Sequence, residues 1–65
     1  MTRAEEKTYI DRTIIVDGHE YRILSLGVQN EEGQVYAHLA STTVFIQQRN
    51  GRVPRQIMEF IDLPS

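Results

Sequence analysis

The chain has 65 residues, no cysteine, no tryptophan, 25% charged and 40% hydrophobic side chains, and a formal net charge of −2. This length holds one domain and leaves little room for a walled cofactor pocket beside a core, because a chain of about 60 residues buries only roughly 60% of its unfolded surface. Without cysteine there is no disulfide framework and no thiolate metal site, and the longest apolar runs are three residues, so a reducing, cytoplasmic setting is expected, with neither export nor a membrane anchor.

Residues 1–7 are polar, show no apolar face and read as a disordered tail before a single β-rich domain over residues 8–63. Asp17-Gly18 separates two β-rich runs, 8–16 and 19–28. An Asp-Gly pair so placed is among the strongest short-range hairpin signals. A two-residue loop then sets Val16 opposite His19, Ile14 opposite Tyr21 and Arg12 opposite Ile23. The polar stretch Gln29-Asn30-Glu31-Glu32-Gly33 leads into a third strand over 34–40. Ser41 and Thr42 interrupt, and a fourth strand over 43–49 ends at Asn50-Gly51.

The last segment reads differently. Ile57, Met58, Phe60 and Ile61 fall within an arc of about 160° when wound at 100° per residue, with Arg55, Gln56, Glu59 and Asp62 opposite. Pro54 suits a first helical residue and Pro64 a stop, so a short helix is expected over 54–62. A further strand competes with it, since Asn-Gly is also a hairpin turn and nine helical residues cannot stand alone. The expected fold is thus α+β and mainly β: a small four-stranded antiparallel meander, curled, with a C-terminal helix. A five-stranded SH3-like barrel is the alternative.

One face of this sheet collects Ile10, Ile14, Val16, Tyr21, Ile23, Val35, Ala37 and Leu39, to be covered by Ile57, Phe60 and Ile61. The other collects Tyr9, Ile15, Leu24, Leu26, Tyr36 and His38 beside Arg22, Glu20 and Asp11. Either the sheet curls at Gly27 and buries part of this second face, or the face contacts a partner.

Catalytic chemistry finds little to work with. Ser41, Thr42 and Thr43 follow His38, but a hydroxyl cluster at a strand break typically bonds local backbone. His19 reads as an exposed hairpin residue and His38 as half-buried and hydrogen-bonded. Neither falls into a metal-ligand spacing, and the four glycines are too far apart for a phosphate cradle.

Charge is distributed unevenly. All nine acidic side chains lie outside residues 41–58, whereas Arg49, Arg52 and Arg55 lie within it. A helix starting at Pro54 would add free amides to these guanidiniums and favour an anion. A sequence pI near 5.5 argues against nucleic acid as the main partner.

These features point to a non-enzymatic interaction module without metal or cofactor, binding an unidentified protein or a second copy of itself. Tyr9, Leu24, Leu26 and Tyr36 are the expected anchors and Arg22 the polar rim. The alternative is an accessory nucleic-acid or phosphate binder acting weakly through Arg49, Arg52 and Arg55.

Overall fold

The computed structural model describes residues 3–63. A helix α1 (Arg3–Tyr9) precedes four strands, β1 (Thr13–Val16), β2 (His19–Gln29), β3 (Val35–Gln48) and β4 (Gly51–Ile61). The strands form one antiparallel meander in the order β1-β2-β3-β4.

The first hairpin follows the turn chemistry. Val16 pairs with His19 and Ile14 with Tyr21, and Asp17 and Gly18 both take positive φ, 51° and 80°. That is the backbone of a type I′ turn, whose twist matches the strands it joins. Arg12 lies beside Ile23, whose amide donates to the Arg12 carbonyl at 2.9 Å.

The segment expected to be helical is a strand. β4 pairs with β3 from Gly51 to Ile61, so the fold has no C-terminal helix. A short apolar run can satisfy both a helical arc and a two-sided strand. Here Ile57 and Ile61 turn to the core while Met58 and Phe60 turn away, and pairing with β3 supplies backbone bonds that an isolated nine-residue helix could not sustain. Pro54 is tolerated because β4 is an edge strand. Pro64, read as a helix stop, lies outside the described residues.

Two expected strands also merge into β3. The interruption at Ser41 and Thr42 survives as a bulge, in which the four residues Ser41 to Val44 face the single residue Arg55. The sheet has four strands and is not closed, so the barrel alternative does not hold either.

The helix among the described residues is N-terminal. Residues 3–7 of the expected disordered tail are helical; Met1 and Thr2 lie outside the described residues. Glu5 and Glu6 in its first turn and Lys7 in its last complement the macrodipole. Asp11, at φ 69°, ends it in the left-handed region, where the amides on either side of it donate back into the helix, Ile10 to the Glu6 carbonyl and Arg12 to the Tyr9 carbonyl. The Glu6 carboxylate also accepts from the Leu26 amide at 3.4 Å, an amide on the stretch of β2 that β1 is too short to reach.

Tyr21, Ile23, Ala37, Leu39 and Ile61 form the core, with Tyr9, Ile10, Ile14, Val16, Leu26 and Ile57 packed against it. Ile23, Leu39 and Val35 are the largest fully buried side chains, each contributing about 1.5–3 kcal/mol by burial.

Candidate interaction surface

The outer face of the sheet, opposite α1 and the core, is built by strand alternation. Thr13, Ile15, Glu20, Arg22, Tyr36, His38, Ala40, Gln56, Met58 and Phe60 share it by register. Tyr36 and Phe60 are directly paired, with ring centroids 5.0 Å apart and planes tilted by 50°. One step along, His38 pairs with Met58, and His38 Nε2 lies 2.8 Å from the Gln56 side-chain oxygen. No element lies over this face among the described residues. Ile15, Met58 and Phe60 remain 66%, 54% and 43% exposed there.

The expected anchors do not come together. Tyr9 and Leu26 pack against the core on the covered side. The cause in β2 is a register shift between Ile23 and Ser25. Leu24 is the extra residue, so Leu26 aligns with Ala37 and points inward. Tyr36 stays on the outer face. Arg22 and Leu24 line a cleft of about 340 Å³ with Ala40, Ser41, Thr42, Phe45 and Pro54, where the end of the outer face meets the next stretch of β3 and β4. The register also shifts across Gly27 and Val28. Ile14, Ile15 and Val16 of β1 line another cleft with Phe60, Ile61 and Asp62 of β4, which brings the two edge strands towards each other. Met58 and Phe60 were missed as outer-face residues because 54–62 read as a helix covering the core; their alternation with Ile57 and Ile61 was the available signal.

Beyond Ser41, β3 pairs with β4 alone, so residues 42–55 form a two-stranded arm. Ser41, 3% exposed, anchors the base of the arm: its hydroxyl accepts from the amides of Val44 at 2.8 Å and Thr43 at 3.2 Å. These are amides the bulge withdraws from the ladder. Thr42 donates to the Glu20 carboxylate at 2.7 Å. Of the hydroxyls expected to bond local backbone, that of Ser41 does so, whereas that of Thr42 reaches across the sheet to Glu20. The arm turns at Arg49-Asn50, between Gln48 and Gly51, and Gly51 carries the positive φ of 122°.

Val44, Phe45 and Ile46 on the arm are all exposed. Arg49, Arg52 and Arg55 are exposed too, and no ion pair engages them among the described residues. The Arg52 guanidinium stands over the Phe45 ring at 5.3 Å. Because residue 54 sits inside a strand, the helix N-terminus expected to add amides to these arginines does not exist. No group of three potential metal ligands is assembled among the described residues, and none of their helices is long and apolar enough to cross a membrane.

No family model, no curated protein and no solved structure matches this chain. What defines it is its own geometry: a small open meander with one face covered, one face bare, and a basic arm.

Proposed function

We propose that this protein is a non-enzymatic interaction module whose bare outer face packs against the same face of a second copy. The observation that carries this reading is the strip on β3 and β4 in which exposed Met58 and Phe60 flank the half-buried ring of Tyr36, with no element laid over it among the described residues. Exposed apolar strips rimmed by polar groups are typical of protein contact sites, and the paired rings offer large area at low entropy cost. His38, Gln56 and Arg22 supply that polar rim.

A second copy fits the chemistry of this surface. The face carries both apolar groups and matched donors and acceptors, so it is complementary to itself, as a two-fold interface requires. Two small sheets stacked at about 10 Å would enclose these rings in a shared core, relieving the thin burial inherent in a chain of this length.

The test is a dilution series followed by methyl and aromatic NMR. Concentration-dependent shifts at Met58, Tyr36 and Phe60, absent in Met58→Lys, are expected. Shifts confined to other regions, or none up to millimolar protein, would refute the reading.

A further inference from the structure

We infer that the arm is a DNA-reading element that inserts its tip into the major groove of a B-form duplex. This goes beyond the reading of the outer face: the arm adjoins that face at its base, where Phe45 and Pro54 share a cleft with Arg22 and Ala40, but its tip at residues 47–52 is a different set of residues from the strip Tyr36, Phe60 and Met58.

The chemistry is concentrated at the tip. Residues 47–52 read Gln47, Gln48, Arg49, Asn50, Gly51 and Arg52. Every side chain there is an amide or a guanidinium, exposed, without a single acid. These are the groups that pair with base edges: guanidinium with guanine O6 and N7, carboxamide with adenine N6 and N7. Arg55, lower on the same strand, is placed for a phosphate contact.

The shape agrees with the chemistry. Two paired strands lie about 4.8 Å apart, and the major groove, about 12 Å wide, admits a two-stranded ribbon. Three residues from Gln47 to the turn advance about 10 Å, against a groove depth of about 8.5 Å. Below the tip, Phe45 lies under Arg52, holding the guanidinium along the ribbon. The bulge at Ser41 to Val44 marks where the ribbon parts from the rest of the sheet, beyond which β3 pairs with β4 alone.

Charge distribution sets the direction of approach. All nine acidic side chains lie outside residues 41–58, so a polyphosphate repels the body and attracts the arm. This reconciles a sequence pI near 5.5 with binding through one element.

The experiment is fluorescence anisotropy of the full chain with a labelled 20-base-pair DNA duplex between 25 and 200 mM salt, with circular dichroism on every variant. Binding is expected with a slope of log K against log salt near −1, from about 0.9 for the one phosphate that Arg55 neutralises. Arg55→Gln is expected to reduce that slope by about 0.9 and weaken binding several-fold. Gln47→Ala with Gln48→Ala is expected to keep the slope and lose the difference between duplexes of different sequence. Absence of binding at 25 mM salt would overturn the inference. So would undiminished binding by a triple Arg→Gln variant, equal or tighter binding to single strands or to an RNA duplex, or arm resonances that respond to protein concentration and not to DNA.

Discussion

Phe45 and Arg52 are diagonal neighbours across the arm, with the guanidinium carbon 5.3 Å from the ring centroid. They belong to successive same-face pairs, Phe45 with Pro54 and Gln47 with Arg52, so the contact ties the tip of the arm to its base. An exposed cation–π pair contributes about 0.5–1 kcal/mol. A double-mutant cycle of Phe45→Leu and Arg52→Gln, read by urea denaturation, should return a coupling of that size; additivity would mean that the contact contributes nothing to the arm.

Ser41 holds the arm to the sheet through two backbone amides. Ser41→Ala removes both bonds, at about 0.5–1.5 kcal/mol each, because Thr43 and Val44 are exposed and water can take the place of the hydroxyl. Hydrogen exchange should quicken at Thr43 and Val44 first. Loss of stability without that local signature would point to packing instead.

Core truncation should be severe. Leu39→Ala, at a fully buried site, should cost about 2–5 kcal/mol, a large part of the whole stability of a domain this small. Thermal denaturation of the variant should show a steeply lowered Tm or no cooperative transition. A shift of only a degree or two would contradict the assigned core.

Glu6 accepts from the Leu26 amide, on a stretch of β2 that β1 does not reach. Glu6→Ala should raise the exchange rate of that amide and loosen α1, at about 0.5–1.5 kcal/mol, whereas Glu6→Gln, which retains an acceptor oxygen, should recover most of the loss.

Much of the core was legible from turn chemistry and alternation. Asp17-Gly18 fixed the register of Ile14 and Val16 against Tyr21 and His19, and Ile23, Ala37 and Leu39 followed from it. Two things were not legible. Bulges are set by tertiary packing, and the one at Leu24 moved Leu26 from the outer face to the core. The segment holding Ile57 to Ile61 satisfied two periodicities at once, and only its pairing with β3 decided between them. That decision carried Met58 and Phe60 onto the outer face and made the arginines part of an arm. For α1 the signal was composition alone, since Glu6, Tyr9 and Ile10 are too few to show a helical face.

Sedimentation velocity of the intact chain and of Met58→Lys and Phe60→Lys across a dilution series tests the central claim most directly. Met58→Lys leaves the Tyr36–Phe60 ring pair untouched, so it keeps the test valid should Phe60→Lys impair folding. The account predicts a dimer that dissociates on dilution and folded, monomeric variants at every concentration. A wild-type chain that sediments as a monomer throughout, or a dimer that both folded variants preserve, would contradict it.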